Sequence, residues 1–404
     1  MLNKKVLHKR ILWTLSLVTV YILGQFIIIP FVKQSAAAGY LKANTLIGIL
    51  GMYTGSQTSR PSLLMLGIGP YMTTNIMVQA VTSLDLKRLR QISQHTWGII
   101  TNFISLIVAI LQAFLYVNNF KKALLPVYVN HHNISFYLAI IILVTGGMIS
   151  VYLANVISER GIGNSAILMV PQLVLSLPSL LIRGWGTSHF NFSVINTIIV
   201  ILTTLVVVFY GLALIRAEER VPYREPQLMS EFAKSYFPIK LLTAGAMPFM
   251  FSTSLFMLLP MLVKNSPLKV REFVFSIVSI NKPIGIVFYA IVIILLNFVF
   301  GLITLQPSVK ARNFKENGSY FYKIVPGIQT EKFIMHKFTR LTWASSFILI
   351  CLSIWPLLLG LWLPQMANLT PFIGNLFILI MILDMIEQEF QTLNSEKEYV
   401  IDLK

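Results

Sequence analysis

The sequence predicts an all-α polytopic membrane protein, and three observations carry that reading. Of 404 residues 56% are hydrophobic and only 12% charged, with a mean hydropathy of +0.74. A soluble chain carries about 25% charged residues. Ten segments are apolar over about the length a helix needs to cross roughly 30 Å of hydrocarbon. Inside them the pattern Gly-x-x-Pro-aromatic-Met occurs twice, at Gly67 to Met72 and at Gly245 to Met250, 178 positions apart. A Pro within an apolar helix removes a backbone hydrogen bond and bends it. In a membrane such a break is tolerated where protein or a water-filled cavity satisfies the backbone. Matched breaks point to internal repeats with a working site between them, although Gly and Pro are also common in transmembrane helices generally.

In chain order the spans fall at 11–32, 62–84, 98–117, 134–157, 165–182, 193–215, 242–262, 283–304, 342–362 and 371–387. The first, Ile11 to Val32, exceeds the roughly 7–15 residues of a signal-peptide core and precedes no small-residue cleavage site. It reads as a retained helix. Between the first two spans, Thr45, Gly48, Gly51 and Gly55 punctuate an apolar piece too short to cross. It fits a re-entrant half-helix or an ordinary interfacial loop. The remaining spans are bounded by charged or turn-rich segments, of which 216–240 and 306–340 are long and basic. The second contains the turn signals Asn317-Gly318 and Val325-Pro326-Gly327 and reads as a protruding hairpin. Such loops suit an acidic partner, RNA or anionic lipid, or serve only to set topology.

The net charge of +17 invites a nucleic-acid partner, but its distribution argues for membrane topology. With the N-terminus inside, 22 of the 32 Lys and Arg fall on inside segments, the positive-inside bias. The loop with Lys264, Lys269, Arg271 and Lys282 runs against it. Asp384 and Glu387 sit in the last turns of the tenth span, and no ionisable residue falls deeper in any span. Coupled transporters usually keep such a residue at membrane depth, so a small-solute transporter is disfavoured. The single cysteine, Cys351, allows no intrachain disulfide. No Walker, Gly-x-Ser-x-Gly or His-Glu-x-x-His pattern occurs, and His131-His132 reads as a solvated loop pair rather than a metal site. These residues point to no catalyst, metal or cofactor.

Several segments, in order, resemble the SecY protein-translocation channel family. They are Leu66 to Gln79 with Pro70 and Asn75, Glu159-Arg160-Gly161-Ile162-Gly163-Asn164, Pro238 to Pro248, Val325 to Thr330, Thr339 to Thr342, and Gln391-Thr392-Leu393. The resemblance implies ten transmembrane helices in two inverted pseudo-symmetric halves around a central pore. It places residues 1–182 in one half, with a plug at about 45–60, and residues 183–404 in the other, with cytoplasmic loops 216–240 and 306–340. It assigns Thr45, Gly48, Gly51 and Gly55 to the plug, and Pro70, Asn75, Gln79 and Pro248 to a lateral gate. The pore ring falls on Ile68, Met72, Val170, Val174, Met250 and, on the tenth helix, Phe377 or Ile378. Met and Val replace much of the Ile that the family favours, which makes a softer ring. Asn75 and Gln79 either hold the closed seam by bonding across helices or offer bonds to a signal sequence.

The implied activity is physical: a dewetted hydrophobic constriction passes a chain while excluding ions and water. The implied partners are a SecA-type motor ATPase, a small SecE-like subunit, preproteins and lipid, with no nucleic acid. Motor docking falls on Arg220, Arg224, Lys315, Lys323 and Lys332. The implied place is the bacterial cell membrane, both termini cytoplasmic. One departure stands out. Housekeeping members continue the large loop as Ile-Arg-Pro-Gly before Gln-Thr, whereas here Ile328 runs straight into Gln329-Thr330. With a shortened sixth–seventh loop carrying Glu218, Glu219, Glu225 and Glu231, this resembles the accessory SecY of Gram-positive bacteria, which exports serine-rich glycosylated adhesins with its own SecA. A general translocon, a solute transporter and a non-conducting scaffold are the alternatives.

Overall fold

A computed structural model describes residues 2–37, 61–83, 92–129, 132–183, 193–225, 235–252 and 282–395, with positions 190, 267, 269, 272, 274, 277 and 278. The plug assignments Thr45, Gly48, Gly51 and Gly55 lie outside the described residues. By contact the chain divides into two units, one of residues 1–78, 92–177 and 382–404, the other of residues 79–91 and 178–381. Among the described residues, seven helical stretches are long and apolar enough to cross a membrane.

The first unit holds α1 (Leu2–Phe26), most of α2 (Gly69–Ser83), α3 (Gln94–Asn119), α4 (Ser135–Arg160) and the start of α5 (Val170–Arg183). Two predicted boundaries move here. The first span ends at Phe26 rather than Val32, because Pro30 disfavours helix in the residue before it and Phe31 turns to φ +54°. Residues 27–32 instead form two isolated bridge positions, Ile28 and Val32, about a turn at Pro30-Phe31: Leu63 N–H donates to Ile27 O at 2.8 Å and Leu125 N–H to Phe31 O at 2.8 Å. The second span begins at Gly69, not 62, for a reason given below. Helices α3 and α4 pack together through small residues, with Ala109, Ala113 and Ala139 fully buried beside Leu143. Close approach through small side chains is how apolar helices associate without a hydrophobic drive. A minimal hairpin, β1 (Tyr128–Val129) with β2 (His132–Asn133), joins them.

The second unit holds the end of α5, α6 (Val194–Arg216), β3 (Glu218–Arg224), β4 (Ser235–Lys240), α7 (described over 247–252), α8 (Pro283–Leu305), α9 (Pro307–Glu316), β5 (Tyr320–Phe321), α10 (Ile328–Gly360) and the start of α11 (Leu369–Ser395), whose residues from 382 on belong to the first unit. Loop 306–340 is not a hairpin. Pro307 seeds α9 with a preset φ, and α10 begins 14 residues before the predicted 342. Its early turns bury Thr330, Ile334, Phe338 and Thr342 at i, i+4 spacing. That amphipathic stripe is invisible to a search for unbroken apolar runs. The tenth span likewise continues as helix to Ser395, leaving Asp384 about three turns from the end, 2% exposed, with Gln388 Nε2 donating to its Oδ2 at 2.5 Å.

Helices α8 and α10 meet across a buried polar cluster. Asn297 Nδ2 donates to Ser345 Oγ at 3.0 Å and to Ser346 Oγ at 2.8 Å. Replacing Asn297 by Leu removes the donor to both hydroxyls, although Ser345 Oγ keeps its own bond to Thr342 O at 3.1 Å, and thermal unfolding in detergent is expected to show a loss of about 0.6–2 kcal/mol. Adding S345A and S346A should recover part of it. Equal stability of N297L and the parent would show that this cluster does not hold the pair.

Candidate functional site

Both copies of the Gly-x-x-Pro pattern make the same local structure. Gly67 has φ +56° and Gly245 φ +61°, the left-handed region that Gly enters without the penalty of a Cβ. Gly67 N–H donates to Leu64 O at 3.0 Å, and Gly245 N–H to Leu242 O at 3.1 Å. Met72 N–H then reaches Ile68 O at 3.0 Å, and Met250 N–H reaches Ala246 O at 3.3 Å. Every one of these atoms pairs with its counterpart at the same offset in the chain. This corrects the expected cause of the break. Pro70 and Pro248 lie in the first turns of α2 and α7, where a missing N–H is harmless, and the interruption is the turn ahead of each, residues 63–68 and 241–246.

The ring positions differ in exposure. Ile68 is fully buried and Met72 half-buried at the start of α2. Val170 opens α5 half-buried, and Val174 one turn on is 49% exposed. Between them Gln172 is buried, and its Oε1 has no hydrogen-bond partner among the described residues. In the second unit Met250 is half-buried, while Phe377 and Ile378 are buried. There α7 meets α11 directly: the Phe249 and Phe377 ring centroids lie 5.2 Å apart. Of the residues expected at the gate, Asn75 is half-buried and Gln79 exposed, and neither side chain makes a hydrogen bond among the described residues.

Two sets of contacts, one at Ala246 and one around a further turn, were not expected from the sequence. Ala246 N–H, at the start of α7, donates to the Met381 thioether at 3.0 Å. Sulfur is a weak acceptor, so this tether is easily released. The second is the turn Gly161–Asn164, which gathers three elements of the first unit. Ile162 N–H donates to Thr14 Oγ1 of α1 at 2.9 Å, and Gly163 N–H to Glu389 Oε2 of α11 at 2.7 Å. Asn164, at φ +52°, accepts from Ser158 Oγ at 2.5 Å and from Ser165 N–H at 2.7 Å. Arg160 lies over the Trp13 ring at 5.7 Å. Thr14, Glu389 and Met381 sit singly in long helices and carry no local signature.

The two basic loops form one body. Strand β3 pairs antiparallel with β4 over Glu218↔Lys240 to Tyr223↔Ser235, and with β5 at Tyr223↔Phe321 and Arg224↔Tyr320, giving the order β4-β3-β5. An aromatic cluster packs beneath it, with Phe314 and Phe321 stacked at 4.9 Å and Phe237 5.6 Å from Phe314. Lys337 Nζ reaches Glu219 Oε1 at 2.5 Å and ties α10 to β3. Of the docking candidates, Arg224, Lys315, Lys323 and Lys332 are exposed. Arg220 is exposed as well but engaged: its Nε donates to Glu218 Oε1 at 2.8 Å and its guanidinium covers the Tyr236 ring at 4.9 Å. That hydrogen bond from Arg220 to Glu218, with the neighbouring Tyr236, raises the guanidinium pKa above its ordinary value.

The comparisons with known proteins agree with one another. The family model for SecY matches residues 62–387. The chain belongs to the SecY family. The accessory Sec system protein translocase subunit SecY2 of Streptococcus parasanguinis is 28% identical over 409 residues, covering 98% of this chain and 97% of that protein. The protein translocase subunit SecY of Staphylococcus aureus strain NCTC 8325 is 26% identical over 423 residues, covering 98% and 96%. A solved structure described as a protein conducting channel aligns at TM-score 0.59 and 16% identity, over 98% of this chain and 95% of that one. The fold is therefore that of the ten-helix SecY channel, a multi-pass membrane protein. In this SecY chain the altered loop has a definite form: Gly327 at φ +118° leads straight into α10 at Ile328.

Proposed function

We propose that this chain is the protein-conducting subunit of an accessory Sec translocase, through which a SecA-type motor drives secretory preproteins. The observation that carries the reading is the pair of identical left-handed turns at Gly67 and Gly245. Each starts a helix that the turn, not the lipid, holds in place, which is what two parting walls of a seam require. The halves are residues 1–182 and 183–404, with residues 45–60 as the plug and Pro70, Asn75, Gln79 and Pro248 on the gate. Ile68, Met72, Val170, Val174, Met250 and Ile378 form the constriction, which excludes water by being apolar. Both termini face the cytoplasm, and a SecE-like subunit completes the channel. The missing loop arginine and the names of relatives such as SecY2 of Streptococcus parasanguinis support the accessory role, with serine-rich glycosylated adhesins as cargo.

The test is binding of the reconstituted protein to a housekeeping SecA and to an accessory SecA from the same organism. Preference for the accessory motor supports the specialised reading. Preference for the housekeeping motor makes this a general translocon, and binding to neither returns a solute transporter to contention. Charge reversal of Lys315, Lys323 and Lys332 to Glu should weaken docking, more strongly at low salt because exposed charges are screened. Unaltered affinity would place docking elsewhere.

A further inference from the structure

Helix α2 ends at Thr82 and Ser83, and its last turns from Gln79 cluster with the second unit. Thr82 Oγ1 donates back to Gln79 O at 3.0 Å and accepts from Gln306 Nε2 at 3.3 Å, a bond between positions 224 apart in the chain. Gln306 is the joint between α8 and α9. It holds φ +50°, ψ +62°, a left-handed conformation that is strained for a residue other than Gly. Its own N–H is used on Leu302 O at 3.0 Å and its carbonyl accepts from Lys310 at 3.0 Å. A straight joint would aim the side chain elsewhere.

From this joint a bonded path runs into the basic body. Ser308 Oγ, on the first turn of α9, donates to Glu331 Oε1 on α10 at 2.7 Å, and Lys332 is the next residue. Beside the bond lies a cavity of about 650 Å³ lined by Ser83, Leu302, Ser308, Glu331, Lys332 and His336. Among the described residues, Ser83 at the end of α2 borders this cavity.

We propose that Gln306 is a positioning residue that couples the basic helix–sheet body to the end of helix α2. Displacement of α9 and α10 by a docked partner is delivered to α2 through Gln306 and Thr82, and the adjacent cavity gives the helix end room to move. This rests on the channel reading above, in which α2 is one wall of the gate and the exposed lysines receive the motor.

The test uses the full chain, reconstituted, with Q306G as the main variant. Gly keeps the left-handed joint without strain and removes only the side chain. T82V removes the partner hydroxyl at constant shape, and T82S keeps it. Motor affinity is expected to stay within about twofold of the parent in Q306G and T82V, while motor-driven export falls roughly threefold to tenfold, the range of one side-chain hydrogen bond. T82S should export like the parent, and Q306G/T82V no worse than either single variant. Unchanged export in Q306G, or a loss of motor affinity that accounts for the whole decrease, overturns the proposal. Amide exchange across Gln79–Ser83 without motor separates this from the channel reading. Faster exchange in Q306G supports the tether even if the motor assignment fails, and unchanged exchange overturns the tether.

Discussion

Gly163→Ala is expected to lower the stability of the protein by about 2–5 kcal/mol, read as a lower unfolding temperature in detergent. Two costs add. Gly163 stands at φ +86°, where a Cβ costs roughly 1–2 kcal/mol. That Cβ would also lie 2.7 Å from Ile386 Cγ1 and 3.3 Å from Ile167 Cδ1, and overpacking of this kind costs typically 1–3 kcal/mol. If the turn shifts to relieve the contact, Gly163 N–H leaves Glu389, and the end of α11 loses a charge-assisted bond. Gly318→Ala is the control. Its φ is +69°, with nothing within 4 Å of the added atom, so only the backbone cost applies. Equal effects at the two sites would show that the contact with Ile386 contributes nothing.

Gly245→Ala should act on the gate more than on the fold. The added Cβ would lie 2.5 Å from Met381 Cε and 3.0 Å from its sulfur. Met is flexible enough to swing aside, which limits the steric part and leaves about 1–3 kcal/mol, mostly strain at φ +61°. Swinging aside, however, takes the sulfur from Ala246 N–H. The start of α7 then loses its tether to α11, and ion leak through the reconstituted protein is expected to rise. Met381→Leu, similar in volume but without the acceptor, should raise leak with little change in stability. Tight vesicles with both variants would remove Met381 from any role in holding the seam.

How much of this was legible in the residues follows from what each feature needs. Gly67 and Gly245 announce themselves because a left-handed turn before an apolar helix demands a residue without Cβ, and the demand repeats in sequence. Gly161 to Asn164 was legible through the family resemblance alone. Their partners were not: Thr14, Met381 and Glu389 are common residues in long helices, chosen by what faces them in space. The early start of α10 was hidden because Thr330, Ile334 and Phe338 alternate with charges, a pattern that apolar-run counting reads as loop. The pairing of β3 with β5 joins residues about a hundred positions apart, and one aromatic pair beside an Arg–Tyr pair cannot advertise it. Pro70 and Pro248 suggested helix breakers by type, whereas their place in the first turn makes them helix starters.

The shared strand β3 also constrains how such chains can be recombined. Exchanging only loop 216–240 with that of another SecY would leave β5 and the Phe314–Phe321 stack facing a foreign edge, and would separate Glu219 from Lys337. A chimera that moves both loops together keeps one folded graft, so this body is transplantable only as a pair of segments that lie far apart in the gene.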